Sequence, residues 1–285
     1  MDHRARPYRS VLYIPGSKER ALEKARTLPV DAIIFDLEDA VAADEKSNAR
    51  ATLADALTED GYGARMKIVR INALDTEWGA EDAQAVRKMN ADAVLLPKVD
   101  GPADLDALAA ITGDLPIWAM METPRGMLNA DAIAAHPKLA GLVMGTNDLA
   151  KELQSRFRQD RLPMLTALGL CLLAAKANGV VIIDGVYNAF KDDEGLRAEC
   201  EQGRDMGFDG KTLIHPAQVE VTNAAFAPSP SEIELAQRQI TAFEEAEAEG
   251  QGVAVVDGKI VENLHVATAR EILAKARAIE TLAAG

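Results

Sequence analysis

The chain has 285 residues, of which 31 are basic and 45 acidic, for a formal net charge of −14; it is 48% hydrophobic and only 4% aromatic. Apolar residues are plentiful and evenly spread, which excludes disorder, and a pI near 4.8 excludes general nucleic-acid binding, where phosphates need clustered Lys and Arg, while still allowing a small anionic ligand held by a few local cations. No apolar run approaches the ~20 residues that span a bilayer, the N-terminal segment lacks the apolar core of a secretion signal, and two cysteines are too few for a disulfide framework or zinc cluster, so a cytoplasmic protein with reduced thiols and no membrane partner is expected.

In chain order, SVLYIP (Ser10–Pro15) reads as a first strand, and Ser17 precedes the helical segment KERALEKA. DAIIFDLED (Asp31–Asp39) is the second strand, followed by EKSNARATLADAL after Asp44. MKIVRIN (Met66–Asn72) and DAVLLPKV (Asp92–Val99) are the third and fourth, and Pro102 opens the helix PADLDALAAI, a position that suits proline. LPIWAMMET (Leu115–Thr123), LAGLVMGTND (Leu139–Asp148) and GVVIIDGVY (Gly179–Tyr187) follow, then an amphipathic helix over Glu194–Met206 and the eighth strand, FDGKTLIHP (Phe208–Pro216). Most of these strands contain near-continuous apolar runs, as parallel strands covered on both faces do. Eight β/α units in about 225 residues favour an α/β fold closed into a (β/α)8 TIM barrel, with an open doubly wound sheet as the alternative. No GxGxxG or GxxxxGK[ST] supports a dinucleotide fold or a P-loop. Beyond the Pro/Ser-rich APSPSE lie a charged helix (Glu232–Glu249), two short apolar runs joined by Asp257-Gly258, a hairpin signal, and a last helix from about Val266 to Leu282. The expected division is a barrel over residues 1–227 and a C-terminal helical and hairpin extension over 228–285.

In a barrel, the C-terminal strand ends converge on one mouth. Here they carry Asp36, Glu38 and Asp39; Arg70 and Asn72; Lys98; Glu122; Gly145, Thr146, Asn147 and Asp148; Asp184; and Lys211 and His215. Glu122 and Asp148 follow apolar runs, where unpaired carboxylates are costly. Two carboxylates with waters and a substrate oxygen make a Mg²⁺ site; solvated acids, or acids paired with Arg125 or Lys98, would look the same in sequence. Arg70 is either a structural partner of Asp36 or Glu38 or a clamp for a carboxylate or oxyanion. Lys18, Arg20 and Lys24 form a basic cluster at a helix start, which is either a solvated face or a phosphate-binding patch. His215 is equally a base or a loop cap. Cys171 and Cys200 read as structural thiols.

Taken together, RSVLYIPGSKERALEKA, ADAIIFDLEDAV followed by DEK, IVRIN, LPKV, MMETPRG and MGTNDLA resemble the CitE-like (HpcH/HpaI aldolase/citrate lyase) family, in order and over essentially the whole chain. That family includes citrate lyase β subunits, malyl-CoA lyases and (3S)-malyl-CoA thioesterases. The segments KELQSRFR, IDGVYNAFKDDEGLRAEC and GFDGKTLIHPAQ look most like the thioesterase branch. The resemblance implies a Mg²⁺ site (Mn²⁺ a possible substitute), a CoA thioester substrate, and homotrimers or homohexamers in which the C-terminal segment reaches a neighbour's site. It assigns Glu122 and Asp148 to the metal and Arg70 to the thioester carbonyl or enolate. Tyr13, Lys18, Arg20 and Lys24 fall to CoA, Gly145, Thr146 and Asn147 to the substrate, and Asp36, Glu38 and Asp39 to a supporting acidic cluster.

One departure stands out. The family's C-terminal pattern DG-K-M-[IV]-D ends in an aspartate, the acid/base donated by the adjacent subunit, whereas here Asp257-Gly258-Lys259-Ile260-Val261-Glu262 ends in glutamate. The added methylene moves the carboxylate by about 1 Å, enough to matter in proton transfer. Hydrolysis of (3S)-malyl-CoA to malate and CoA is the expected activity. The alternatives are cleavage of malyl-CoA, β-methylmalyl-CoA or citramalyl-CoA to glyoxylate or pyruvate plus an acyl-CoA, and a citrate lyase β-like subunit of a complex.

Overall fold

The computed structural model describes residues 6–58 and 61–284. It divides into two compact units, Tyr8–Phe226 and one formed mainly by the chain from Ala227 onward. Among the described residues no helix is long and apolar enough to cross a membrane.

In the first unit, eight parallel strands close into a barrel in sequence order: β1 (Ser10–Pro15), β2 (Ala32–Asp36), β3 (Met66–Arg70), β4 (Ala93–Leu96), β5 (Ile117–Met121), β6 (Leu139–Met144), β7 (Val181–Asp184) and β8 (Gly210–Leu213), with β8 pairing back onto β1. The open-sheet alternative is thereby excluded. Apolar residues fall on both faces of the strands because both are buried. Val11, Ile34, Ile68, Leu95, Trp118 and Ile183 fill the lumen. Leu12, Ile33, Phe35, Val69, Leu142 and Ile182 face the surrounding helices. Gly141 is needed where it stands: it pairs with Trp118 across the ladder, and a Cβ there would lie 2.7 Å from the indole ring.

The strands are shorter than the sequence implies. Asp31–Asp39 reduces to Ala32–Asp36, and Leu139–Asp148 ends at Met144, with Thr146–Glu152 already helical. The ladder stops where the neighbouring strand stops, and the polar residues past that point belong to turns. The helix after β1 spans Glu19–Ala25 with Lys18 rather than Ser17 at its cap, and Asp44 sits in a 3₁₀ turn that leads into Lys46–Thr58. Pro102 opens Pro102–Thr112 as expected, and Asp192 caps Asp193–Met206 through Gly195 N–H. Cys171 and Cys200 are buried and unpaired to each other, and burial pushes the Cys171 thiol up to about 12.

In the second unit, Ser229 and Glu232 cap the helix Pro230–Ala248 reciprocally. A two-stranded hairpin, Ala254–Val256 with Lys259–Val261, turns at Asp257 and Gly258, both at positive φ. Arg238 clamps the turn by a bidentate pair with Asp257 at 2.8 and 2.6 Å. Phe243, Ala246, Ala254, Val261 and Val266 form this unit's own small core, and the helix Asn263–Ala284 follows.

Candidate active site

Strand parity selects what reaches the barrel mouth. Tyr13 shares its face with Val11, Asp36 with Ala32 and Ile34, Arg70 with Met66 and Ile68, and Glu122 with Trp118 and Met120, all on the lumen side. These side chains line one cavity of about 290 Å³, joined by Asp39 from the loop after β2, Gly145 after β6, and Thr146, Asn147 and Asp148 from the first turn of the helix Thr146–Glu152.

Arg70 lies at the centre. Its Nε and Nη2 each donate to Asp36 at 2.7 Å, and its Nη1 stands 2.8 Å from Glu38 and 3.3 Å from Asp39. Both readings of Arg70 therefore meet in one place: it is a buried ion-pair partner and it lines the cavity. Burial alone would raise Asp36, but the charge and hydrogen bonds of Arg70, with the Glu38 and Ala40 N–H groups, hold it below the usual carboxylate range. Glu38 is pushed up to about 7 by burial, with Arg70 opposing and Asp39 and Asp36 adding. Buried Lys46 holds the acidic turn from behind, donating to the Leu37 and Glu38 carbonyls at 3.0 and 2.7 Å. Tyr13 lies against Arg70, its ring centre 5.0 Å from the guanidinium carbon, and burial keeps its phenol protonated well above the usual range.

Glu122 is 2% exposed, yet its described polar contact is one backbone donor, Lys98 N–H to Oε1 at 2.8 Å. Burial, then Glu38 and Asp148, push it up to about 8. Oε2 lies against Gly145, where a Cβ would stand 2.5 Å away. Among the described residues no group of three or more His, Cys, Asp or Glu is arranged to hold a metal. Mg²⁺ does not require one, since it keeps several waters and takes one or two carboxylates plus substrate oxygens. A buried carboxylate with no ion pair among the described residues, a second carboxylate at Asp148 and the acidic loop beside them suit a hard divalent cation. Gly145→Ala forces Glu122 aside; it is expected to cost about 1–3 kcal/mol of stability and to weaken Mg²⁺ binding, both readable in thermal melts with and without the ion.

Four of the strand-end candidates, Asp184, Lys211, His215 and Asn72, do not line this cavity. Asp184 and Lys211 have the opposite parity and point at the helices. Arg161 Nη1 donates to both Asp184 oxygens at 2.8 and 2.7 Å, and Lys211 donates to Glu199 at 2.6 Å. This buried network ties the segment after Glu152 to β7. His215 is a loop cap, accepting from Ala217 N–H at 3.1 Å. Asn72 is turned away, bonding Asp82 and the Leu37 carbonyl. Lys18, Arg20 and Lys24 are exposed on and beside the first helix, whereas Tyr13, assigned with them to CoA, lies in the acid-lined cavity. Asn147 pairs with Asn188 through both amides at 3.2 and 2.8 Å. Glu262 is exposed in the second unit, its backbone N–H capped by His265. Sequence reasoning missed Arg161 and Lys46, although Lys46 is the lysine of the DEK segment, and it missed Met120, Val186 and Ile214 as cavity walls.

Residues 9–216 match the HpcH/HpaI aldolase/citrate lyase family, and residues 162–280 match the C-C bond lyases of the TIM-barrel fold. The chain is 71% identical over 279 residues to a (3S)-malyl-CoA thioesterase of Cereibacter sphaeroides, covering 98% of both chains. It is 34% identical to citrate lyase subunit beta of Escherichia coli, covering 96% of this chain and 95% of that one. Among solved structures, the CitE protein of Mycobacterium tuberculosis in complex with magnesium, acetoacetate and coenzyme A superposes with a TM-score of 0.82 at 30% identity, covering 96% of this chain and 99% of that one. The chain belongs to the HpcH/HpaI aldolase/citrate lyase family.

Proposed function

We propose that this protein hydrolyses the thioester of (3S)-malyl-CoA to (S)-malate and free CoA. The observation that carries the reading is near-full-length identity of 67–71% to proteins that bear this activity's name. The cavity chemistry supports it. Glu122 and Asp148 would hold Mg²⁺, with Mn²⁺ a possible substitute. When bound, the ion supplies Lewis-acid polarisation and charge for the oxygens of the malyl end. Arg70, fixed by Asp36, Glu38 and Asp39, places a permanent positive charge beside the reacting carbonyl. Gly145, Thr146 and Asn147 line the substrate cavity, and Lys18, Arg20 and Lys24 receive the CoA phosphates. The protein works in the cytoplasm as a homotrimer or homohexamer, its residues 228–285 packing over a neighbouring subunit. There Glu262 acts as general base on the attacking water.

The second reading, C–C cleavage, draws on the match to the C-C bond lyases and on the relatedness to citrate lyase subunit beta. One assay decides between them. With malyl-CoA and Mg²⁺, free thiol rises in step with substrate loss; glyoxylate rising instead, without free CoA, rejects hydrolysis. Glu262→Gln lowers thiol release by at least about 10²-fold, the scale of a lost general base, and leaves Mg²⁺ binding intact. Mixing it with a metal-site variant restores part of the activity, because mixed oligomers contain some sites with both groups. Absence of that rescue argues against a role across subunits.

A further inference from the structure

The hydroxyl of Tyr13 has no assigned task in the free protein. It lies in the lumen of the barrel, on the wall of the 290 Å³ cavity that also holds Arg70, Glu122 and Asp148. Its described polar contact is Met120 Sδ at 3.9 Å, a weak acceptor at long range. The ring itself is well placed: the Arg70 guanidinium lies against it at 5.0 Å, and Met120 and Trp118 belong to the core cluster beneath it. A phenylalanine would pack equally well there, so packing does not explain the oxygen.

Arg70 and Asn147, two other donors of the cavity, are engaged. Arg70 directs Nε and Nη2 at Asp36 and Nη1 at Glu38 and Asp39. Lys98 is half exposed, with its ammonium 3.9 Å from Glu38. Four carboxylates, Asp36, Asp39, Glu122 and Asp148, line the space, and a fifth, Glu38, pairs with Arg70. Negative charge that develops on a substrate oxygen here is repelled by these carboxylates, and a facing donor adds to the Arg70 charge in offsetting that. A neutral O–H provides that donor without a counter-charge, and the cation against its ring strengthens it.

We propose that Tyr13 is a catalytic residue that donates its hydroxyl hydrogen bond to the thioester carbonyl oxygen of the substrate. This rests on the thioesterase reading above. Water oxygen bonds to the carbonyl carbon as the π pair moves onto the carbonyl oxygen, and the water's proton passes to the general base. The C–O π bond then re-forms as the C–S bond breaks, and the CoA thiolate leaves and takes up a proton. Tyr13 keeps its proton throughout and serves only to stabilise the oxyanion.

The test compares full-length wild type with Tyr13→Phe in Mg²⁺ and malyl-CoA, following thiol and glyoxylate together, with calorimetric titration of CoA and thermal melts alongside. Loss of one oxyanion donor predicts a kcat lower by about 10²-fold. KM, CoA affinity and melting temperature stay unchanged, since among the described residues the polar contact of the lost hydroxyl is a sulfur. A wild type that releases thiol beside a Tyr13→Phe variant with wild-type kcat overturns the role of Tyr13 alone. A parallel loss of CoA affinity overturns it too, making the hydroxyl a binding group. Wild type yielding glyoxylate and no thiol overturns the thioesterase reading, and the proposal with it.

Discussion

Glu122→Gln is expected to abolish the response to Mg²⁺ and to lower thiol release by more than about 100-fold, since even groups one bond removed from metal ligands cost about 10–100-fold. The substitution keeps the shape and the Lys98 N–H contact and removes one charge. Its effect on the metal-free protein has the opposite sign. Glu122 is held up to about 8, above its usual value, chiefly by burial. A carboxyl raised on folding favours the folded state in acid and opposes it as pH climbs past the unfolded value toward the folded one. Without metal at pH 8, wild type therefore bears a penalty on the order of a few kcal/mol that the amide avoids. Metal-free Glu122→Gln melts higher than metal-free wild type at pH 8, and the two converge near pH 4. Mg²⁺ then raises the wild-type melting temperature and leaves the variant where it was. If Mg²⁺ stabilises both equally, Glu122 is not a ligand.

The barrel was legible because its strands announce themselves: eight β-branched or apolar runs spaced by helical period leave few other closures. Side-chain parity was equally available. Counting by twos from Met66 and Ile68 reaches Arg70, and from Trp118 and Met120 reaches Glu122, both in the lumen. The same count from Ile182 and Leu213 puts Asp184 and Lys211 on the outer face, where they meet Arg161 and Glu199. Treating every polar strand end as part of the mouth overlooked that. Arg161 was not legible, because its partner lies 23 residues away, beyond the apolar helix Leu165–Asn178. Lys46 was visible only as part of a charged helix start. Its burial under the acidic turn depends on how the loop after β2 folds back, which no local pattern encodes.

Removing Arg70 is expected to destabilise the barrel itself as well as to impair turnover. In Arg70→Ala, Asp36 at 1% exposure and Glu38 at 8% lose their cation while remaining buried. Breaking a buried pair from one side costs about 3–5 kcal/mol, and Tyr13 loses its cation contact, worth about 0.5–2 kcal/mol more. The pH dependence identifies the cause. In wild type Asp36 is lowered by Arg70, so its contribution is present above the unfolded carboxylate value and is lost as pH falls through the folded one. In the variant both carboxyls move upward instead. Glu38, already at about 7 with Arg70 present, rises further and takes up a proton as the solution is acidified. The gap in melting temperature between wild type and Arg70→Ala is therefore widest near pH 8 and narrows toward pH 5. Arg70→Lys separates charge from geometry. An ammonium restores one positive charge and part of the stability, but it cannot reach both Asp36 oxygens and Glu38 at once. Thiol release by Arg70→Lys should stay about 10²-fold below wild type while its melting temperature recovers. Equal recovery of both would mean that Arg70 acts as a point charge, and that its fixed orientation among Asp36, Glu38 and Asp39 contributes nothing to turnover.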